Sequence, residues 1–168
     1  MVDVRRLSPQ EWRLLRQVRL RALEDAPYAF GSTFSEESEH SDDWWMKSVR
    51  NLAWFVADEH DGEPVGLAAG IPPGEEWNPH DCPEIISMWV QPSHRGTGVA
   101  VALLKAVISW AASEGASEVS LGVADGNEQA RRFYERAGFI PTGASQPLRS
   151  RPQVCTRQML LTIRDTSV

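Results

Sequence analysis

The stretch VQPSHRGTGVA, residues 90–100, decides the fold because it joins three kinds of local structure in one piece. It continues the apolar run EIISMWV, residues 84–90, whose branched and aromatic side chains favour a β-strand. Glycines at 96 and 98 then predict a tight turn, and apolar side chains recur at helical spacing over residues 98–113. The chain is therefore expected to pass from a strand through a glycine-rich turn directly into a long helix.

The turn has the composition of an anion-binding site. Gly96 and Gly98 permit backbone conformations that are closed to other residues, so consecutive N–H groups can point at one anion. The N-terminus of the next helix adds partial positive charge, and Arg95 adds a guanidinium suited to phosphate. We therefore interpret the turn as a pyrophosphate site. A simple connector before a helix is the alternative that the local sequence leaves open.

The spacing of the turn argues against two common nucleotide sites. A P-loop has the pattern GxxxxGK[ST], and a dinucleotide-binding fold has GxGxxG after its first strand. Residues 90–100 match neither pattern. The ligand that carries the expected pyrophosphate is therefore predicted to be of another kind than the nucleotides bound by these two sites.

Outward from this segment, hydrophobic periodicity and turn signals predict alternating helices and strands. Ser8 and Pro9 mark a helix start, and the Asp61-Gly62 turn separates two apolar runs typical of a hairpin. The pattern indicates one mixed α/β (α+β) domain, residues 1–168, with a single central sheet. We predict strands at residues 2–7, 52–58, 64–71, 84–90 and 118–123, from 139 to 142 and at 153–163, helices at 8–26, 41–51, 98–113 and 128–137, and loops at 28–33, 72–83 and 143–152.

The composition is that of a globular domain, with 42% apolar and 24% charged residues. Charged residues, Gly or Pro interrupt every apolar run before the roughly 20 residues that a membrane-spanning helix needs. Residues 1–9 lack the apolar segment of a signal peptide. We therefore expect a cytoplasmic protein that does not associate with membranes.

Charge and cysteine content exclude further classes. The net charge of -6 argues against nonspecific nucleic-acid binding, which depends on Lys and Arg neutralising phosphates. Cys82 and Cys155 are far apart in sequence and have no Cys or His partner at metal-ligand spacing. We therefore predict no nucleic-acid partner, no metal site and no disulfide.

Two segments resemble signatures of the GNAT N-acetyltransferase superfamily. Residues 95–100, RGTGVA, are similar to its R/Q-x-x-G-x-G/A turn, with Ala100 in the final place. Residues 127–139 are similar to its N-x-x-A-x-x-F-Y-x-x-x-G-F segment. The sequences RLRAL at 19–23 and AFG at 29–31 also resemble one bacterial branch whose members act on small molecules.

The resemblance implies a fold, a cofactor and a reaction. The fold would be a mixed, mostly antiparallel sheet that is splayed at the cofactor strand and flanked by helices. The cofactor would be acetyl-CoA, and a primary amine of a small molecule would attack the thioester directly. A protein or peptide acetyltransferase and a noncatalytic acyl-CoA sensor are the alternatives. Some relatives form homodimers, so a homodimer is a further expectation.

The resemblance also implies a cofactor site. Main-chain N–H groups of the 95–100 turn would bind the coenzyme A pyrophosphate. The pantetheine arm would run beside the strand that ends at Val90, with Trp89 turned to the other face. The predicted cofactor-binding residues are Met88, Trp89, Val90, Arg95, Gly96, Thr97, Gly98, Val99, Ala100, Asn127, Ala130 and Tyr134.

Two catalytic residues are predicted, Tyr134 and Glu84. By resemblance, Tyr134 would lie near the sulfur and protonate the departing thiolate, although packing beside Phe133 is the alternative. An amine with a pKa of about 10.4 arrives protonated, so a base is required. Glu84 resembles the glutamate that some family members use as base, and an exposed strand-end carboxylate is the alternative.

Acceptor selection is expected from the loops and helices that follow the first helix. We predict substrate contacts at Tyr28 and Phe30 in the first of these loops. The paired Trp44 and Trp45 on the next helix are also predicted to contact the acceptor, with burial in the core as the alternative.

Overall fold

The computed structural model describes residues 2–163 and contains seven strands and five α-helices in that range. All seven strands belong to one sheet with the order β1-β2-β3-β4-β5-β7-β6. Three short 3-10 turns lie at Pro9–Glu11, Pro27–Ala29 and Pro92–His94. The strands are β1 Asp3–Arg6, β2 Ala53–Asp58, β3 Pro64–Ile71, β4 Glu84–Val90, β5 Glu118–Ala124, β6 Ile140–Leu148 and β7 Arg151–Thr162; the helices are α1 Trp12–Asp25, α2 Phe34–Ser38, α3 Asp42–Asn51, α4 Val99–Ser113 and α5 Glu128–Arg136.

Side chains at the N-cap positions explain where two of the helices begin. The Ser41 hydroxyl accepts a hydrogen bond from the Trp44 N–H at 3.2 Å at the start of α3. The Asn127 carboxamide accepts one from the Ala130 N–H at 3.3 Å at the start of α5. Each bond satisfies one of the N–H groups that a helix N-terminus leaves without an intrahelical partner.

The sheet is antiparallel at every pair of neighbouring strands except β4 and β5. The parallel pairing of β4 with β5 covers only Glu84 with Ser120 and Ile85 with Leu121. Beyond Ile85 the two strands separate. The predicted mixed, mostly antiparallel sheet that is splayed at the cofactor strand is thus confirmed.

A β-bulge interrupts β4 just after this point. Leu67 of β3 pairs with Trp89 and Ala69 pairs with Ile86, so two residues of β4, Ser87 and Met88, lie opposite one residue of β3. Ser87 has φ +62° and is the one non-glycine residue with positive φ among residues 2–163. The bulge changes the direction of β4 at the place where the strand leaves β5.

Helices cover both faces of the sheet and create two hydrophobic cores. On one face α4 and α5 pack against the sheet, with Leu103, Val107 and Phe139 among the buried side chains. On the other face α1 and α3 form a second core that includes Leu15 and Val18. The separated ends of β4 and β5 are therefore held between two packed layers.

One predicted loop and one stretch without a prediction contain regular structure. Residues 143–152 were expected to be a loop, but β6 continues to Leu148 and β7 begins at Arg151. Eight of the nine β6 residues are exposed, so the strand lacks the alternating hydrophobic pattern that identifies strands in a sequence. Its pairing with β7 has register shifts, one of them between Pro141 and Ser145. Residues 34–38 form the short helix α2, which no sequence pattern indicated.

The paired tryptophans lie on the α1 and α3 side of the sheet. Trp45 is completely buried in the second core, so its predicted substrate contact is corrected to a packing role. Trp44 is half-buried and stacks on the His40 ring with a centroid distance of 3.8 Å. The amphipathic pattern of α3 turns one tryptophan inward and leaves the other at the helix surface.

Replacement of Trp45 by alanine should lower the free energy of unfolding by about 3–5 kcal/mol, because a buried indole is removed and a cavity remains. Trp77, which is 51% exposed, supplies the matched control. Trp77→Ala should change stability by no more than about 0.5 kcal/mol. Urea denaturation measures both variants, and equal losses would contradict the core position of Trp45.

Candidate active site

The separation of β4 from β5 opens a cleft of about 100 Å³. One wall is the stretch of β4 that contains the bulge, and the opposite wall is the end of β5 with the start of α5. Residues from both faces of the sheet line the cleft, because it passes between the two strands. Its lining residues are Ala29, Phe30, Ile85, Ile86, Ser87, Met88, Leu121, Gly122, Val123, Ala124, Asn127, Ala130 and Tyr134.

The turn predicted to bind pyrophosphate joins β4 to α4. Gly96 has φ +76° and Gly98 has φ +89°, which residues other than glycine adopt only with strain. A Cβ atom at either glycine would meet nothing within 4 Å, so the turn faces open space. Gly98 is the N-cap of α4 and has no side chain to accept from the first helical turn. The N-terminus of α4 therefore presents main-chain donors to a ligand.

Arg95 makes two contacts within the protein. Its Nε donates to the Val90 carbonyl at 3.0 Å, and its Nη2 contacts the Asp25 carboxylate at 2.7 Å. The same Asp25 oxygen accepts from the Trp89 indole N–H at 2.8 Å. In this arrangement the Arg95 guanidinium fastens the turn to β4 and α1, and its contact with phosphate stays a prediction.

The three residues at the end of β4 face alternate sides. Met88 and Val90 pack with the α4 core, and Trp89 is buried in the core on the opposite face. Met88 lines the cleft. A ligand beside this strand would therefore meet the Met88 side chain and the β4 main chain, while the Trp89 side chain lies behind the strand.

Tyr134 projects from α5 into the cleft and is only 8% exposed. Its ring packs edge-on against Phe133 and Phe139, with centroid distances of 5.2 and 5.7 Å. Burial raises the pKa of the Tyr134 phenol far above its ordinary value. The phenol is therefore neutral at physiological pH and can donate a hydrogen bond. The packing of Tyr134 beside Phe133, one of the two roles considered from sequence, is observed, and the catalytic role stays a prediction.

Glu84 lies at the first residue of β4, next to the cleft residue Ile85. It is half-buried, so the alternative of an exposed strand-end carboxylate does not describe it. Burial raises the pKa of the Glu84 carboxyl, and the nearby positive charge of His80 partly opposes that shift. A raised pKa brings a carboxylate closer to the value that suits a base at neutral pH.

Glu84→Gln should increase the free energy of unfolding at pH 8 and have little effect at pH 4. The folded-state pKa of Glu84 lies above its ordinary value of 4.5. The protonated carboxyl therefore contributes stability at low pH that is lost as the pH rises through the folded-state pKa. Urea denaturation across this pH range measures the difference.

Glu118→Gln is the matched control, because Glu118 also begins a strand but is exposed. Its substitution should leave the pH dependence of stability close to that of the unmodified chain. If Glu84→Gln and Glu118→Gln shift the pH profile alike, burial does not perturb Glu84.

The loop after α1 and the turn between β6 and β7 are joined beside the cleft. The Ser150 hydroxyl donates to the Phe30 carbonyl at 2.6 Å, and Arg151 Nη2 donates to the Tyr28 carbonyl at 2.8 Å. The Phe30 side chain lines the cleft, whereas Tyr28 is 52% exposed and outside the lining. Of the four predicted substrate residues, the structure therefore brings only Phe30 to the cleft.

Two residues near the cleft were not identified from sequence as site residues. Ser87 lines the cleft at the bulge, and the buried Arg19 donates from its Nη1 to the Ser87 hydroxyl at 2.9 Å. A serine with positive φ has no sequence signature, because the conformation depends on the pairing of β4 with β3.

A second surface depression, of about 330 Å³, shares no lining residue with the cleft.

Comparisons with known proteins agree with this geometry. Residues 16–139 match the family model described as the acetyltransferase (GNAT) family. An uncharacterized N-acetyltransferase of Mycobacterium bovis is 40% identical over 89 residues, which are 53% of this chain and 54% of that protein. The chain thus matches about half the length of this curated relative.

Solved structures share the whole architecture. A Salmonella typhimurium protein described as an acetyltransferase, solved with its cofactor acetyl-CoA, has a TM-score of 0.73 at 19% identity over 100% of this chain and 97% of that one. A ribosomal-protein-alanine N-acetyltransferase of Brucella melitensis has a TM-score of 0.71 at 20% identity, with 96% and 99% of the two chains covered. At these identities the likeness shows the fold.

The family model covers well over half of the chain, and both resembling segments, at residues 95–100 and 127–139, fall within the match. The match also contains the splayed β4 and β5, the glycine turn at the start of α4 and every lining residue of the cleft between the strands. From this agreement of family model and architecture, the chain belongs to the acetyltransferase (GNAT) family.

Proposed function

We propose that this chain is an acetyl-CoA-dependent N-acetyltransferase that acetylates a primary amine of a small molecule. The observation that carries the proposal is the cleft between β4 and β5, which extends beside the strand that leads into the glycine turn of α4. A long ligand with a pyrophosphate at one end and a thioester at the other suits such a path.

The described residues fit coenzyme A at both ends of this path. The main-chain N–H groups of Gly96 to Ala100 would bind the pyrophosphate, since Gly96 and Gly98 leave open space at the helix N-terminus. Beyond Ile85, the β4 edge facing β5 is free of the parallel pairing and would bind the pantetheine amides as an added strand does. Asn127 and Ala130 would contact the pantetheine from the α5 side of the cleft.

The chemistry divides between two side chains of this chain. Acetyl-CoA, when bound, supplies an acetyl group activated as a thioester. Glu84 would accept a proton from the acceptor ammonium, directly or through water, because burial brings its pKa toward neutrality. Tyr134, kept neutral by burial, would donate its hydroxyl hydrogen bond to the sulfur as negative charge develops there.

The shape of the cleft favours a small acceptor over a protein. The hydrogen bonds from Ser150 to the Phe30 carbonyl and from Arg151 to the Tyr28 carbonyl tie the end of the β6–β7 hairpin to the loop after α1. These ties lie beside Phe30, which lines the cleft, and would narrow the approach of an acceptor there. A polypeptide N-terminus needs an open groove there, whereas an amine of low mass can enter a narrow opening.

A test of this function measures thiol release from acetyl-CoA with a panel of amines. The panel contains polyamines, amino acid derivatives, amine antibiotics and an alanine-terminated peptide, matching the acceptor named for the Brucella melitensis neighbour. Turnover of a small amine supports the proposal. Turnover of the peptide alone identifies a peptide acetyltransferase, and cofactor binding without any turnover identifies a sensor.

Gly98→Asp should weaken acetyl-CoA binding on the order of 100-fold or more. The substitution places a carboxylate at the N-cap of α4, where the pyrophosphate is proposed to bind, and like charges at close range cost several kcal/mol. Isothermal titration calorimetry with acetyl-CoA measures the loss.

Gly62→Asp is the control for the backbone. Gly62 has φ +88°, a Cβ atom there would meet nothing within 4 Å, and it lies in the turn between β2 and β3. Its substitution carries the same conformational strain and should leave acetyl-CoA affinity within about threefold of that of the unmodified chain, because a surface change away from the site is close to neutral. Tight acetyl-CoA binding by Gly98→Asp would refute the proposed pyrophosphate site.

Tyr134→Phe should lower kcat by about 100-fold with the best amine of the panel, because the hydroxyl hydrogen bond to the leaving sulfur is lost. The affinity for acetyl-CoA should change far less, since the ring and its packing remain. Tyr28→Phe is the matched control on an exposed tyrosine and should retain full turnover. Equal losses of kcat and of acetyl-CoA affinity in Tyr134→Phe would contradict an acid role.

A further inference from the structure

A buried ion pair lies directly behind the bulge of β4. Arg19 of α1 and Glu37 of α2 are 8% and 4% exposed, and they form a two-pronged contact with both N–O distances at 2.9 Å. The third nitrogen of the guanidinium, Nη1, donates to the Ser87 hydroxyl at 2.9 Å. The Arg19 guanidinium also lies over the Phe30 ring, 4.8 Å from its centroid. One buried cation thus contacts two residues that line the cleft.

Ser87 needs external support in its observed conformation. Its φ of +62° is the left-handed conformation, which glycine adopts at no steric cost and which a residue with a Cβ atom disfavours. In this type of bulge the corresponding residue is usually glycine. The hydrogen bond from Arg19, which Glu37 holds through two contacts, fixes the Ser87 side chain and can offset the cost of this backbone conformation. The serine therefore keeps the bulge while the hydroxyl connects it to α1.

We propose that Arg19, held by Glu37, is a positioning residue that fixes the Ser87 bulge so that β4 receives the acetyl end of the bound thioester. The inference rests on the proposed function, because it assigns the acetyl end to the stretch of cleft lined by Ser87, Met88 and Tyr134. Arg19 touches neither cofactor nor acceptor in this assignment. It acts through its hydrogen bond to Ser87.

The proposal makes a distinction between two ligands. Acetyl-CoA and coenzyme A share the pyrophosphate and pantetheine and differ by the acetyl group. A loosened bulge should therefore weaken the binding of acetyl-CoA and leave the binding of coenzyme A nearly unchanged. In this assignment coenzyme A is held mainly by the turn at Gly96 and Gly98. A general loss of packing would weaken both ligands together.

The experiment uses Arg19→Lys, Ser87→Gly and the double variant. Lysine keeps the charge for Glu37 but cannot pair with Glu37 through two nitrogens and bind Ser87 through a third. In calorimetric titrations we expect Arg19→Lys to lower the affinity for acetyl-CoA about tenfold and the affinity for coenzyme A by less than about threefold. Glycine adopts positive φ without support, so Arg19→Lys should have little further effect on acetyl-CoA affinity in the Ser87→Gly background.

A spectroscopic readout accompanies the titrations. The carbonyl ¹³C resonance of bound acetyl-CoA, labelled at the acetyl carbonyl, should move in Arg19→Lys toward its position in free solution and stay unmoved in Arg13→Lys. Arg13 is an exposed arginine on the same helix and supplies the matched control. If Arg19→Lys does not fold, Glu37→Gln, which retains Arg19 and weakens its fixation, carries the same expectations.

The outcomes separate this inference from the proposed function. If the unmodified chain binds neither acetyl-CoA nor coenzyme A, the proposed function fails and this inference fails with it. Two results would overturn the role of Arg19 while the proposed function stands. In the first, the unmodified chain binds both ligands and Arg19→Lys lowers both affinities equally. In the second, Arg19→Lys lowers the affinity for acetyl-CoA as much in the Ser87→Gly background as in the unmodified chain. A selective loss of acetyl-CoA that Ser87→Gly relieves supports the positioning role.

Discussion

The early end of the pairing between β4 and β5 is the constraint on which the rest of the structure depends. Two parallel strands in the middle of a sheet normally satisfy each other's backbone groups, but here only Glu84 and Ile85 are paired with β5. Backbone polar groups beyond that point need other partners, which makes the opening a place for a ligand with amides of its own. The two hydrophobic cores on opposite faces hold the strands apart, because α1 packs behind β4 while α4 and α5 cover the other side.

The opening also determines the electrostatic character of the proposed site. Burial raises the pKa values of Glu84 and Tyr134 alike, although one is a candidate acceptor and the other a candidate donor of a proton. Low polarity thus makes the carboxylate a stronger base and keeps the phenol neutral. The turn proposed to bind pyrophosphate lies farther along, where Gly96 and Gly98 face open space. The enclosed part of the proposed site thus lies between the strands, and the turn with its main-chain N–H groups lies outside the lining of the cleft.

Local signals in the sequence predicted most of the elements and the family, because glycines, caps and apolar periodicity act over short distances. The strand at 84–90 and the helices α3, α4 and α5 lie within one residue of their expected bounds. Edge strand β6 was shortened in the prediction, since its exposed residues show no alternation. The partners of Arg95 and Arg19 could not be predicted, because Asp25 and Ser87 approach them only through the tertiary packing of α1 on the sheet.

The Asp25 carboxylate links three elements of the fold. Its carboxylate at the end of α1 accepts hydrogen bonds from the Trp89 indole and the Arg95 guanidinium, so one anion joins the first helix, the fourth strand and the glycine turn. A shift of α1 along the sheet would therefore displace Arg95 and the turn with it. The register of α1 against the sheet therefore fixes the position of the glycine turn, to which α1 contributes no residue of its own.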